Sequence, residues 1–227
     1  MLPIKDNVPT RHFRVVTVAL IVANFAVWIL YELPHLQSSV DELAFQPCEV
    51  TSSCVQVGES WELTAVTSMF MHASWVHLLG NMLFLWIFGN NVEDAMGRIR
   101  FIVFYFLAGF AATALQTLVT LSTAPHRDTL IPFLGASGAI SGVLGAYFVL
   151  LPRAKVLTLV FLFLPWQVPA WIFLVVWIGF QLISSSAALQ HPESGGGVAF
   201  FAHIGGFVFG LLTVRMFAVR RPLEPAY

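Results

Sequence analysis

Seven polar side chains interrupt long apolar runs of this sequence: His77, Asn81, Gln116, Ser137, Ser141, Gln181 and His203. Polar groups are costly in such surroundings and are functional candidates by default. Ser137 and His203 form the most reactive combination. A serine hydroxyl is a weak nucleophile until a base takes its proton, and a neutral imidazole is the side chain suited to that task near neutral pH. Acyl chemistry of this kind also needs hydrogen-bond donors for the oxyanion. His77 and Asn81 are four residues apart, share one helix face and can supply side-chain donors. Either one alone reads equally well as hydrogen-bond glue between helices.

Other chemistries find no support. No Asp or Glu lies in the middle of an apolar run, which excludes a pair of membrane aspartates as catalysts. No His-Glu-x-x-His occurs, and His72 and His77 are five apart, the wrong spacing for two metal ligands on one helix face. Cys48 and Cys54 are too few for a four-ligand metal site and read equally as a disulfide or as two free thiols. Neither a metal nor a cofactor is expected. The net charge of −1 gives no basic footprint for nucleic acid.

The elements that must position these residues follow from composition. The chain is 58% hydrophobic and only 10% charged, with a mean hydropathy of +0.80. Soluble domains carry about 25% charged residues, so the chain reads as a membrane protein in contact with a lipid bilayer. Six stretches contain no Asp, Glu, Lys or Arg: 15–31, 63–92, 101–126, 129–152, 156–192 and 194–214. Each has room for a span of about 20 residues. In the fifth, Pro165 and Pro169 interrupt any helix, so 156–167 reads as an apolar connection and 168–186 as the span. The expected fold is an all-α polytopic bundle of six transmembrane helices over 15–218. A short cytoplasmic segment, 1–14, precedes it, a tail, 219–227, follows it, and a long outer loop, 32–70, leaves the first helix. With both termini inside, ten of the eleven Lys and Arg residues fall on one side, only Arg127 lying outside.

In that arrangement helices two, four and six run in the same direction. Asn81 precedes Arg98, Ser137 precedes Arg153 and His203 precedes Arg220 by 16 or 17 residues. That is roughly 24–26 Å of helix, so the three polar groups share one depth. Small residues let their helices approach closely. Gly138 and Gly142 form one Gly-x-x-x-Gly, with Gly135 just before it, and Gly206 and Gly210 form another. A glycine face alone would make Ser137 merely another small packing residue. A serine and a histidine beside such faces at one depth point instead to a nucleophile and its base.

Gly135-Ala136-Ser137-Gly138 resembles the Gly-x-Ser-Gly motif of the rhomboid intramembrane serine proteases. Ala202-His203-Ile204-Gly205-Gly206, ending on Gly210, is similar to their second motif, and His77-Leu78-Leu79-Gly80-Asn81 to their His-x-x-x-Asn. Gly89-Asn90-Asn91-Val92-Glu93-Asp94 with Gly97 resembles the inner end of their second helix. The resemblance implies hydrolysis of transmembrane protein substrates in or near their membrane segments. It implies a Ser137–His203 dyad without a third acid, oxyanion support from Asn81 and His77, and water entering from the outer face. Gln116 aligns with a position linked to water access in some members and reads equally as an interhelical hydrogen bond. The alternative is a non-catalytic rhomboid-like protein that binds membrane clients. Two positions depart from the family pattern: Leu63 and Thr64 stand where many members carry Trp-Arg, and Ser141 stands where some stack a Tyr on the histidine. The expected location is a bacterial or archaeal cell membrane with the site opening outward. Substrate is expected to enter sideways near the fifth helix and the 187–199 loop, with Gly195–Gly197 as a hinge.

Overall fold

Backbone polar groups inside lipid must be satisfied within the chain, which leaves helices or closed barrels as spanning structures. The computed structural model takes the helical route. It describes every residue except Val57, Ala124, Leu162, 191–198 and 226–227, and it does not describe the side chains of 187–190. The proposed Gly195–Gly197 hinge therefore lies outside the described residues.

The chain begins with strand β1 (Leu2–Asp6) and helix α1 (Val15–Val27), which continues as a π-helical turn to Glu32. Short helices α2 (Leu36–Leu43), α3 (Pro47–Val50) and α4 (Trp61–Thr67) follow. Helix α5 (Trp75–Phe84) runs through a π-helical turn, Leu85–Gly89, into α6 (Asn90–Met96). Helices α7 (Arg98–Thr123), α8 (His126–Thr129) and α9 (Ser137–Leu150) lead to strands β2 (Lys155–Val160) and β3 (Leu164–Pro169). Helices α10 (Ala170–Gln190) and α11 (Phe200–Phe217) complete the chain. Among the described residues three helices are long and apolar enough to cross a membrane: Val15–Glu32, Arg98–Thr123 and Phe200–Phe217. A fourth joins them if Trp61–Phe70 and Trp75–Met96, bent by 81°, count as one broken span. The 14 residues of α9 rise about 21 Å, short of a hydrocarbon core about 30 Å thick.

The all-α expectation is corrected by a three-stranded antiparallel sheet in the order β1-β2-β3. The segment 156–167, expected to be an apolar connection, forms most of a hairpin in continuous register from Lys155↔Pro169 to Val160↔Leu164. Its sequence alternates in burial, with Val156 and Thr158 buried, which is a strand period and not a helical one. Pro165 and Pro169 fit because β3 is an edge strand, where a missing N–H is tolerated. The N-terminal segment supplies the third strand, Leu2 pairing with Leu159 and Asp6 with Val156.

Glycine sets the spacing of α7, α9 and α11. A Cβ on Gly206 would fall on the Gly138 carbonyl oxygen, and one on Gly210 on the Gly142 carbonyl oxygen. A Cβ on Gly138 would come 2.7 Å from that of Ala112 on α7. The backbones of α9 and α11 are therefore in direct contact along their length, with α7 packed behind.

The described residues of the long loop are tied to one another and to the bundle. Cys48 and Cys54 are joined by a disulfide, which settles the choice left open by the sequence. Phe45 and Phe133 exchange backbone hydrogen bonds of 2.9 and 3.2 Å, and Gly135 N–H donates to Ser68 O at 2.8 Å. The loop thus holds the segment that leads directly into Ser137.

Candidate active site

Ser137 is the first residue of α9, and the chain reaches it through Gly135, whose φ of +127° is open to glycine and strained for other residues. A Cβ there would also lie 2.8 Å from the His77 ring. His203 stands near the start of α11. Because the glycine faces bring α9 and α11 together, the His203 Nε2 comes to 2.8 Å from the Ser137 Oγ.

The other imidazole nitrogen is also occupied. His203 Nδ1 lies 2.8 Å from the Gln181 Oε1 on α10. An amide oxygen can only accept, so Nδ1 carries the proton and Nε2 is left as the acceptor for the serine hydroxyl. Trp177, one turn before Gln181, sets its ring 5.9 Å from the imidazole at an interplanar angle of 39°. Gln181 is buried. Sequence reading noted Gln181 as a polar residue in an apolar run but gave it no role. The four-residue spacing of Trp177 and Gln181 was the available signal. Ser141, at the position where some family members stack a Tyr, donates back to the Ser137 carbonyl at 2.6 Å and does not hold the histidine.

The remaining candidates group in two places. Asn81 is buried, and its Nδ2 lies 3.0 Å from His72 Nε2. His72 is fully buried, with its backbone N–H donating to the Glu32 carboxylate at 2.8 Å. The His72 and His77 rings meet edge to face, 5.0 Å apart. His77 thus faces Gly135, beside Ser137, while the Asn81 amide is engaged with His72. Gln116 spans α7 and α11: its Oε1 accepts from Ala202 N–H at 3.2 Å, and its Nε2 donates to Thr120 Oγ1 at 3.1 Å. That is the interhelical reading of Gln116, one residue from His203. A cavity of about 20 Å³, lined by Ser68, Gly135, Ser137, Gly138 and Ala202 among others, adjoins the serine. It has room for about one water molecule.

At the opposite end of the bundle carboxyl groups fix the helices. The Glu93 carboxylate accepts from Val16 N–H at 3.0 Å and from Thr17 N–H and Oγ1 at 2.8 Å, closing the start of α1. Asp94 pairs with Arg11 at 3.0 Å. Asp6 accepts from Tyr147 OH at 2.7 Å and Asn91 Nδ2 at 2.6 Å, and burial raises its pKa above the usual carboxylate value.

The Rhomboid domain family model matches residues 58–220, and the chain belongs to the rhomboid family. Rhomboid protein 1, mitochondrial, of Saccharomyces cerevisiae is 29% identical over 202 residues, 88% of this chain and 53% of that protein. Presenilin-associated rhomboid-like protein A, mitochondrial, of Danio rerio is 32% identical over 66% of this chain and 36% of its own length. Rhomboid protease GluP of Bacillus subtilis is 38% identical over 42% of this chain and 17% of its own length. The chain spans about half the length of these curated relatives or less. The mitochondrial relatives overturn the expected location in a bacterial or archaeal cell membrane.

Proposed function

We propose that this rhomboid-family chain is an intramembrane serine endopeptidase that cleaves transmembrane proteins in or near their membrane segments. The observation that carries this reading is the Ser137–His203 contact of 2.8 Å, with the tautomer of His203 set by Gln181. In this mechanism Nε2 takes the Ser137 proton as Oγ attacks the scissile carbonyl. The protonated imidazole then delivers that proton to the leaving amine, and water reverses the sequence to release the acyl group. The first N–H groups of α9 have no partner within the helix and face the developing oxyanion, with His77 and Asn81 adding side-chain donors.

Six spans with both termini on one side remain the preferred topology over 15–218. It is supported by strand pairing between the N-terminal segment and the β2–β3 hairpin, and by Val219 and Arg220 N–H groups donating to Ala95 O. Both contacts need an even number of crossings between the paired segments. The mitochondrial relatives support a mitochondrial membrane as its place of action. Substrate enters beside α10, which meets α11 through side chains and turns Trp171 and Phe180 outward. The test is co-expression with a panel of tagged single-span membrane proteins. Cleavage of at least one by the wild type, and of none by Ser137→Ala, supports the proposal. Identical fragments from both proteins refute it.

A further inference from the structure

The end of the bundle remote from Ser137 holds a cavity of about 550 Å³ that the proposed proteolysis does not use. Arg14, Arg98, Arg100 and Arg220 line it, together with Glu93 and Asp94. Both carboxylates are already engaged: Glu93 by the three donors at the start of α1, and Asp94 by Arg11. Arg98, Arg100 and Arg220 are exposed and form no ion pair among the described residues. Arg98 and Arg100 lie in the first turn of α7, where the helix dipole adds to their positive potential. With Asp94 paired to Arg11, four arginines face the one remaining carboxylate, Glu93, so the cavity is net cationic, and arginine is the side chain best matched to phosphate.

Its position indicates the source of the phosphate. The cavity opens where two membrane-capable helices begin, α1 at Val15 and α7 at Arg98, and so lies at a lipid–water boundary. Phe13 and Ile99 also line it and are 69% and 80% exposed. Exposed apolar side chains beside a ring of arginines suit an amphiphile whose phosphate sits inside and whose chains run along α1 and α7. A soluble anion has no use for them. Basic pockets at helix ends are a recognised mode of anionic headgroup binding. We infer that this cavity binds the phosphate headgroup of an anionic phospholipid. Bound there, the lipid ties α1, the α6–α7 corner and the C-terminal segment together.

The test is native mass spectrometry of the full chain in neutral detergent, titrated with phosphatidylglycerol or phosphatidylcholine. Phosphatidylglycerol should be retained selectively and should raise the unfolding temperature. Each Arg→Gln substitution at Arg98, Arg100 and Arg220 should weaken binding about fivefold, and the triple variant about 100-fold. Arg→Lys variants, which keep the charge and lose the planar fork, should weaken binding less than the Arg→Gln variants. If the triple variant does not purify folded, Arg100→Gln and Arg220→Gln singly decide the matter. Unchanged phosphatidylglycerol affinity in the variants, or equal retention of both lipids by the wild type, overturns the inference. Inorganic phosphate giving the full thermal protection would assign the cavity to a soluble anion and overturn the lipid assignment.

Discussion

The two ends of this helix bundle are built from different chemistry. At the Glu93 end, carboxylates and an arginine join segments far apart in sequence, Arg11 to Asp94 and Asp6 to Tyr147. At the Ser137 end the reactive groups meet neutral partners: an amide and an indole for His203, an imidazole for Asn81. About 12 residues of one helix, roughly 18 Å, separate Asn81 from Glu93. The fold thus divides its labour between its two ends. A carboxylate beside the imidazole would stabilise its charged form, but unpaired charge in lipid is expensive. Carboxyl groups therefore serve as anchors: Asp6, Glu93 and Asp94 at one end, and at the other Glu32, which binds the His72 backbone N–H and not His203. A neutral amide, which sets a tautomer without supplying charge, stands beside the candidate base.

Substitutions at four positions probe this contrast. The largest effect is expected from Gly206→Val, because the new side chain must displace the Gly138 backbone. Overpacking of this kind exceeds the usual cost of about 1–3 kcal/mol for extra methylenes. Little folded protein should elute on size exclusion, whereas a folded, active variant would disprove the backbone seam. Asn81→Ala should follow, with a rate loss of about 10²–10³ if its amide reaches the oxyanion. Loss of less than about tenfold would assign Asn81 to holding His72.

Gln181→Leu tests the neutral partner directly. A buried carboxylate that sets the tautomer is worth about 10⁴ in kcat, and a neutral amide should matter less, about 10–10². The loss should fall on kcat more than on KM, with Gln181→Glu recovering part of it. An equal rise in KM with kcat intact would mean that Gln181 contacts substrate instead.

The smallest effect belongs to the charged end. The raised pKa of Asp6 means that the folded state binds its proton more tightly than the unfolded chain does. Its contribution favours folding at low pH and is lost as pH rises through the folded-state pKa. Asp6→Asn keeps acceptors for Tyr147 and Asn91 and should flatten the fall in unfolding temperature between acid and neutral pH. An unchanged pH dependence would show that Asp6 does not control it.

Much of this design was legible before the fold. Ser137 and His203 carry local signals, since each sits beside small residues that force close approach, and a shared depth follows from helix rise. Gln181 carries only a weaker signal, its four-residue spacing from Trp177: a lone amide in an apolar helix has many possible partners, and only the rotation of α10 selects His203. The β2–β3 hairpin was missed because Pro165 and Pro169 were weighed only as helix breakers, although the same residues suit an edge strand. Membrane identity was misjudged because apolar helices and basic flanks obey the same physics in every bilayer. Rhomboid relatives, and not composition, carry that information.

The central claim is that Ser137 is a nucleophile activated by His203. Its most direct test is reaction of the folded, detergent-solubilised chain with a fluorophosphonate probe, the adduct being mapped by peptide mass spectrometry. An adduct on Ser137 that disappears in a folded His203→Ala variant is the predicted result. No adduct on the folded wild type, or one on Ser137 that forms equally fast without His203, would contradict it.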